Sequence, residues 1–267
     1  MAGNDAVLRQ FGAESQARRI EALYLTADVV RQREATLEQL ALEPGERVLD
    51  VGCGPGLLAQ SAAAAVGPQG EVFGVDLSAN MVALAQRRCA NLPWAAFAVA
   101  DAIALPGATE HFDAVTCTQV LEYVPAVDRA LDELKRVLRP GGRLLLVDTD
   151  WESCVWASDD TDRMRRMLAA WDSHCAHPQL PRVLGPMLAR HGFRVEKVEA
   201  VAIVNTMNAK HTYSEEMMAL IAEHAARCGS VEEFDARAWL DDLRARADRG
   251  ETFFSLDRHL FLATRQR

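Results

Sequence analysis

The sequence has no cluster of basic residues, and its acidic residues outnumber the basic ones by 38 to 29. The formal net charge of −9 argues against binding to nucleic acid, which attracts proteins through its phosphate backbone. No stretch approaches the uninterrupted apolar length that a transmembrane helix requires. We therefore expect neither a nucleic-acid partner nor a membrane partner, and a small ligand fits this composition better.

The six cysteines are widely scattered, and no two of them form a C-x-x-C pair. This spacing supports neither a zinc site nor a disulfide framework, so we predict reduced thiols and no bound metal. Residues 1–9 are polar and charged and lack the apolar region of a signal peptide. Together these features predict a cytoplasmic protein.

Strand-like and helix-like patterns alternate regularly after residue 46. Hydrophobic residues make up 49% of the chain and charged residues 25%, which is typical of a globular core. Alternating β and α segments with short connections predict a parallel sheet with helices on both faces. The predicted strands are 47–51, 71–76, 95–99, 113–118, 143–148, 193–204 and 253–263, and the predicted helices include 57–66, 80–89, 126–138 and 181–191.

The same patterns divide the chain into two parts. Residues 1–46 carry apolar residues at helical spacing and end at a Pro-Gly pair, so we predict an N-terminal helical arm that covers the ligand site. Residues 47–267 form the α/β domain. Its alternation is interrupted at about 149–181 and 206–250, and we interpret these segments as helical cap inserts over the carboxyl edge of the sheet.

Residues 48–58 join a β-prone stretch to a helical pattern through three glycines at alternate positions, Gly52, Gly54 and Gly56. Glycine is needed where a strand turns sharply into a helix and a ligand approaches bare backbone. The dinucleotide fingerprint G-x-G-x-x-G needs a third glycine where this sequence has Leu57. A helix N-terminus normally suits a phosphate, but the carboxylate of Asp50 repels one here. Asp50 instead favours a ligand with an ammonium or hydroxyl group.

The next three strands also end in groups that suit a nucleoside. A carboxylate at the end of the second strand accepts ribose hydroxyls, and polar groups after the third strand suit the amino group of adenine. Each residue alone is better explained by loop capping or a solvated role, but right-handed crossovers place all of them at one edge of the sheet. The residues are Asp76 after the second strand, Asp101 and Ala102 after the third, Thr118 and Gln119 after the fourth, and Leu77 and Met81 as apolar contacts to the base.

Five segments, residues 50–56, 74–78, 100–106, 112–115 and 138–144, resemble the successive motifs of class I S-adenosylmethionine-dependent methyltransferases. The most similar branch contains the methyltransferases of ubiquinone and menaquinone biosynthesis and related small-molecule enzymes. The resemblance implies an α/β fold with a Rossmann-like sheet of seven mostly parallel strands, helices on both faces and an antiparallel last strand.

The resemblance also implies S-adenosylmethionine as the cofactor. The segment 118–124 lacks the paired histidines often found there in the quinone branch, which argues against a quinone acceptor. The implied cofactor contacts are Asp50, Gly52, Gly54 and Gly56 with the methionine portion, Asp76 with the ribose, Asp101, Ala102, Leu77 and Met81 with the adenine, Thr118 and Gln119 on the methionine side, and Tyr24 and Arg31 in the covering helices.

We therefore predict a methyltransferase that acts on a small organic acceptor at nitrogen, oxygen or carbon, chiefly through proximity and orientation. One alternative is a member of the same fold that binds the cofactor without transferring methyl, as a sensor, scaffold, cyclase or isomerase. A second alternative is a NAD-dependent oxidoreductase. The sequence is compatible with a monomer or a homodimer.

The acceptor side is expected after the fifth strand and in the two inserts. A general base there helps a phenol or carbon acid more than an amine or thiol. Surface hydrogen bonding is the better explanation of each candidate base, and ordinary cap packing explains the aromatic residues at least as well. The candidates for a base are Asp148, Asp150, His174 and His211, and the candidates for an aromatic substrate-binding wall are Trp151, Trp156 and Tyr213.

Overall fold

The computed structural model describes residues 14–206 and 211–267. The strands are β1 (Arg47–Val51), β2 (Glu71–Asp76), β3 (Ala95–Val99), β4 (Phe112–Thr118), β5 (Leu138–Trp156), β6 (Phe193–Asn205) and β7 (Phe254–Arg265). They form one sheet in the order β3-β2-β1-β4-β5-β7-β6. The pairs among β1 to β5 are parallel, and β7 runs antiparallel to β5 and β6. The predicted Rossmann-like sheet with an antiparallel last strand is confirmed.

Helices cover both faces of this sheet. They are α1 (Glu14–Tyr24), α2 (Ala27–Leu40), α3 (Leu57–Val66), α4 (Ala79–Arg88), α5 (Val127–Val137), α6 (Thr161–Trp171), α7 (Pro181–Arg190), α8 (Tyr213–Arg227) and α9 (Glu233–Asp248). Within the described ranges, no helix is long and apolar enough to span a membrane.

Neighbouring residues of β1 show how the two faces are filled, because successive strand residues point to opposite sides. Val48 packs with apolar residues of α2 and α3 on one side. Leu49 packs with apolar residues of α5 and α7 on the other side. The near-continuous burial of β1 and β4 follows from this two-sided cover, as expected for parallel strands in the middle of an α/β sheet.

The fifth strand ends at Trp156, whereas the alternation predicted an end at Asp148. Its extension is held by the antiparallel partner β7, which pairs with residues 143–150 and again with Val155 and Trp156 after a break in register. Residues 149–156 therefore belong to the sheet, and α6 is the first helix after it. The predicted end of the fifth strand at Asp148 is wrong, and the assignment of residues 149–181 to a cap insert stays a prediction.

The aromatic and methionine side chains of the inserts form a core of their own. Trp156 at the end of β5 packs edge-on against Trp239 of α9, and the same cluster holds Met164 and Trp171 of α6 and Met217 of α8. Apolar residues of α1 belong to the same cluster. The N-terminal helices and the insert helices are thus packed together along one side of the carboxyl edge.

Asp28 of α2 ties the N-terminal helices to the second insert. Its carboxylate is 6% exposed, and Oδ2 accepts hydrogen bonds from Asn205 Nδ2 at 3.0 Å and from the backbone N–H of Tyr213 at 3.3 Å. The guanidinium of Arg31 bonds to the other carboxylate oxygen. Asp28 therefore sets the position of α2 against the end of β6 and the start of α8.

Replacing Asp28 with alanine should lower the free energy of unfolding by about 1–3 kcal/mol, because two buried donors lose their acceptor. Arg31→Ala is the matched control. It removes a side chain that is 60% exposed, and its loss should cost less than about 1 kcal/mol. Urea denaturation measures both values. Equal losses for the two variants would contradict the prediction that Asp28 stabilises the fold by accepting from two buried donors.

Candidate functional site

The backbone of the turn from β1 into α3 passes close to β2, to α4 and to Val120 in the segment after β4. The backbone N–H groups of Gly52 and Cys53 both donate to the carbonyl of Val75, at 2.7 and 2.9 Å. Gly52 has a φ of 69°, and a Cβ there would lie 2.1 Å from Cγ2 of Val120. Glycine is therefore required by both conformation and space.

Gly56 is required for a different contact. It precedes α3 with a φ of 79°, and a Cβ there would lie 2.8 Å from the Cα of Ala85 in α4. Gly56 therefore lets α3 pack directly on α4. Among the described residues, Gly56 does not line the cavity beside this turn. The predicted contact of Gly56 with the methionine portion stays a prediction, and the structure gives this glycine a packing function.

A cavity of about 350 Å³ lies at the carboxyl ends of the central strands, next to this turn. Such an edge is where ligands bind in open α/β sheets. Residues of α1 and α2 line its other side. Of the predicted cofactor contacts, the structure brings together Tyr24, Asp50, Gly52, Gly54, Asp76, Leu77, Met81, Asp101, Ala102, Thr118 and Gln119 in this lining.

Asp50 is a buried carboxyl with one unused oxygen. The side chain lines the cavity although the residue is only 2% exposed, and Oδ1 accepts a hydrogen bond from Thr116 Oγ1 at 2.9 Å. Oδ2 has no partner within the described chain. Burial raises the pKa of Asp50 to about 7. A cation brought into the cavity would stabilise the ionised form, so the site suits a ligand with an ammonium group.

Asp76 and Asp101 extend the acidic part of the lining. Asp76 accepts hydrogen bonds from the backbone N–H of Gly54 at 2.9 Å and of Ser78 at 2.8 Å, which connects the glycine turn to the end of β2. Burial raises the pKa of Asp76 despite these two bonds. Asp101 accepts a hydrogen bond from the N–H of Ile103 at 3.1 Å. Carboxylate oxygens have more than one lone pair, so these bonds leave capacity for ligand hydroxyl and amino groups.

Arg258, Gln32, Arg33 and Thr36 also line the cavity, and the sequence analysis missed them. Arg258 lies on β7, and the alternation of that strand contains a signal for its burial. Arg258 points to the same buried face of the strand as Phe254, Leu256 and Leu260, because alternate strand residues share a face. The three residues of α2 had no comparable signal, because helical spacing alone does not tell which face meets a ligand.

Two further acids are fully buried beside the cavity. Glu122 and Asp148 are both 0% exposed. Glu122 Oε2 accepts from the N–H of Thr149 at 3.0 Å, and Asp148 Oδ1 accepts from the N–H of Glu122 at 3.4 Å. Burial raises the pKa of Glu122 to about 7 and that of Asp148 well above its usual range. Asp148 was a candidate base, and the structure places it outside the described lining.

The other candidate bases also lie away from the described lining. Asp150 forms an ion pair with Arg182, with Nε 2.9 Å from Oδ2. The ring of His174 stacks on Trp171 at 3.9 Å, and burial lowers its pKa to about 3. His211 is exposed, and its backbone N–H donates to Glu215. In this arrangement none of the three is positioned against a cavity ligand.

The candidate aromatic wall is part of the insert core. Trp151 packs edge-on against His174 with ring centroids 4.7 Å apart, and Trp156 packs on Phe254 at 4.4 Å. Tyr213 is 1% exposed, and its hydroxyl accepts from Arg258 Nη2 at 2.8 Å. The described lining includes none of these three side chains, and it also lacks Arg31, whose exposed guanidinium turns to Asp28.

Comparison with known proteins supports one family. Residues 49–146 match the model of a methyltransferase domain. A demethylmenaquinone methyltransferase of Symbiobacterium thermophilum is 38% identical over 113 residues, which are 41% of this chain and 45% of that protein. An uncharacterised 37.1 kDa protein of a Streptomyces fradiae transposon is 34% identical over 82% of this chain and 64% of its own length. Residues 49–146 therefore form a methyltransferase domain, similar to those of the class I S-adenosylmethionine-dependent enzymes.

Solved structures share the fold of this methyltransferase chain at lower identity. A Haemonchus contortus phosphoethanolamine N-methyltransferase 2 in complex with S-adenosylmethionine aligns with a TM-score of 0.64 and 18% identity, over 100% of this chain and 60% of that one. The (4+2)-cyclase SpnF aligns with a TM-score of 0.59 and 24% identity, over 89% and 81% of the two chains. The chain spans less than two thirds of the length of the two curated relatives named above.

Gly56→Ala should lower the free energy of unfolding by about 2–4 kcal/mol, which combines left-handed strain with overlap against Ala85. Gly229→Ala is the matched control, because its φ of 64° carries similar strain but a Cβ there meets no atom within 4 Å. The control should lose only about 1 kcal/mol. Urea denaturation measures both, and similar losses would contradict a packing role for Gly56.

Asp50→Asn should change how stability depends on pH. The pKa of Asp50 rises from 3.8 to about 7 on folding, so the folded state holds a proton that the unfolded chain has released. The stability of the wild type relative to Asp50→Asn should therefore fall by about 4 kcal/mol between pH ~4 and ~7 and stay level above that.

Chemical denaturation at several pH values measures this difference for Asp50→Asn. Asp241→Asn, which replaces an exposed carboxyl on α9, is the matched control and should show no such fall. A flat profile for Asp50→Asn would overturn the assignment of a raised pKa to Asp50.

Proposed function

We propose that this chain transfers the methyl group of S-adenosylmethionine to a small organic acceptor, at a nitrogen, oxygen or carbon atom. The observation that carries the proposal is the group of three carboxyls at successive strand ends, Asp50, Asp76 and Asp101, around one cavity beside the glycine turn. The names of the curated and structural relatives support the same reaction.

The hydrogen-bond acceptors of the cavity fit the chemistry of this cofactor. The unpartnered oxygen of Asp50 suits the methionyl ammonium, and Asp76 suits the ribose hydroxyls. Asp101 suits the amino group of adenine, with Leu77 and Met81 as apolar neighbours in the lining. Gly52 and Gly54 would leave bare backbone beside the methionine portion.

Gln119 is fixed in a position that suits contact with the methionine portion of the cofactor. Its φ is 57°, its N–H donates to the carbonyl of Val147 at 2.7 Å, and its Oε1 accepts from Thr149 Oγ1 at 2.8 Å. Thr118, the last residue of β4, and Gln119, the first residue after it, both line the cavity. The first bond fixes the backbone of Gln119 and the second fixes its side chain, so Gln119 can orient a ligand with little further loss of conformational freedom.

The bound cofactor supplies an electrophilic methyl group on a sulfonium. The protein's part is to orient the acceptor and to exclude water, which in favourable cases lowers the barrier by about 7–11 kcal/mol. The described helices α1 and α2 supply this cover through Tyr24, Val29 and Thr36. We assign the N-terminal arm, residues 1–46, to covering the cofactor and the later inserts to closing the acceptor side. Asp148, Asp150, His174 and His211 remain only candidate bases.

A reducing compartment suits this protein, since its cysteines are free thiols. We extend the proposal to a cytoplasmic protein acting as a monomer or homodimer. Light scattering of the purified chain distinguishes these two oligomeric states.

Titration calorimetry with S-adenosylhomocysteine tests the cofactor assignment. We expect wild-type binding, at least tenfold weaker binding by Asp50→Asn and by Asp76→Asn, and no change in Asp241→Asn. Asparagine keeps the size of the side chain and part of its hydrogen bonding at the turn. Unchanged affinity in a folded Asp76→Asn variant would contradict the ribose assignment.

Transfer is tested separately from binding. Incubation with S-adenosylmethionine labelled on the methyl group and extract of the source cells should yield a labelled small molecule. Cofactor binding without labelled product would favour a non-transferring member of the fold, such as the cyclase among the structural neighbours.

A further inference from the structure

We propose that Arg258 binds an anionic group of the acceptor, so that the acceptor is a small carboxylic acid rather than a neutral or cationic molecule. The inference rests on the proposed function, and the geometry points to Arg258 as the residue that recognises this acid. Arg258 is 2% exposed and lines the same cavity as Asp50 and Asp76.

The position of Arg258 separates it from the acidic end of the cavity. Strands β4 and β5 lie between β1 and β7, so the backbones of Asp50 and Arg258 are roughly 14 Å apart across the sheet. In register, Asp50 lies beside Thr116 and thus beside Leu145 of β5, whereas Arg258 lies beside Thr149. Arg258 is therefore also further out along the carboxyl edge, beyond the part assigned to the cofactor's ammonium.

The hydrogen-bond partners of Arg258 are neutral. Nη1 donates to Gln32 Oε1, and Nη2 donates to the hydroxyl of Tyr213 at 2.8 Å. The guanidinium carbon also lies 4.8 Å from the centre of the Tyr213 ring. Nε has no partner in the described chain, although the residue is buried. A buried guanidinium with an unused N–H is costly unless an anion completes it.

The nearby carboxyls do not supply the anion that the Arg258 guanidinium lacks. Glu122 and Asp148 are near enough to influence Arg258 electrostatically, but neither forms an ion pair with it in the described ranges. Each accepts a backbone hydrogen bond instead, and burial raises the pKa of both, which reduces their negative charge. Asp28 already accepts bonds from Arg31 and Asn205.

A carboxylate matches what Arg258 offers. The guanidinium is planar and binds planar carboxylates through two parallel N–H donors, which gives direction as well as charge. Gln32 and Tyr213 each accept from one terminal nitrogen, which fixes the orientation of the guanidinium before a ligand arrives. Nε–H and the second N–H of a terminal nitrogen can then donate to a carboxylate together. The methionyl carboxylate of the cofactor has the same chemistry, and the experiment below distinguishes these two sources.

The test measures binding of benzoate and of its neutral analogue benzamide to the wild-type protein by calorimetry, with and without saturating S-adenosylhomocysteine. We expect benzoate to bind at least tenfold more tightly than benzamide. Acetate and acetamide serve as a smaller pair. Equal binding within both pairs, or no binding by either carboxylate, overturns the proposal without the use of any variant.

Variants then assign the effect to Arg258. Arg258→Met should weaken benzoate binding at least tenfold, and Arg258→Lys should retain part of the affinity because it keeps the charge. Arg182→Met, which removes a partly exposed arginine paired with Asp150, is the matched control and should bind benzoate as the wild type does. Circular dichroism checks that each variant is folded.

Two cofactor analogues distinguish the source of the carboxylate. In our proposal Arg258→Met binds S-adenosylhomocysteine and 5′-methylthioadenosine, which has no carboxylate, within about twofold of the wild type. A tenfold loss for S-adenosylhomocysteine alone would assign Arg258 to the cofactor and overturn the proposal. Failure of the proposed function has a different signature, since the wild type would then not bind S-adenosylhomocysteine at all.

Discussion

The close backbone approach at the end of β1 is the constraint on which the other features depend. One carbonyl, that of Val75, accepts from two successive N–H groups of the turn, and Asp76 accepts from a third at Gly54. Gly52 leaves the space that Val120 fills, and Gly56 lets α3 meet α4. A side chain at either position would move the loop after β4 or the first helix. The floor of the cavity and the direction of Asp50 are consequences of this turn.

The cavity combines buried charges that the protein alone leaves incompletely paired. Asp50 has an oxygen without a partner, and Arg258 has an N–H without one. Each group by itself is destabilising, because burial removes water and no protein group replaces it fully. A cofactor ammonium beside Asp50 and an acceptor carboxylate beside Arg258 would supply the missing partners of both groups. Structural stability and ligand recognition are therefore linked through the same two side chains.

Much of the cofactor half could be predicted because its signals are local. The strands at 47–51, 71–76 and 95–99 have the predicted bounds, and the acidic residues at or near their carboxyl ends line one cavity. Glycine spacing, strand alternation and crossover handedness act over a few residues at a time. The length of β5 could not be predicted in this way. Its residues after Asp148 are held by β7, about a hundred positions later, as in the bond from Asp257 N–H to Ser153.

The sequence by itself determined the α/β fold, the glycine turn and the acids around it, since each follows from short-range backbone chemistry. Only the tertiary structure decided the acceptor side. Gln32 and Arg258 meet across 226 positions, and Trp151 and Trp156 turn into the insert core although their spacing was compatible with a ligand wall. Long-range pairing chooses which face of a helix or strand meets the cavity. That choice depends on packing partners that the local pattern does not contain.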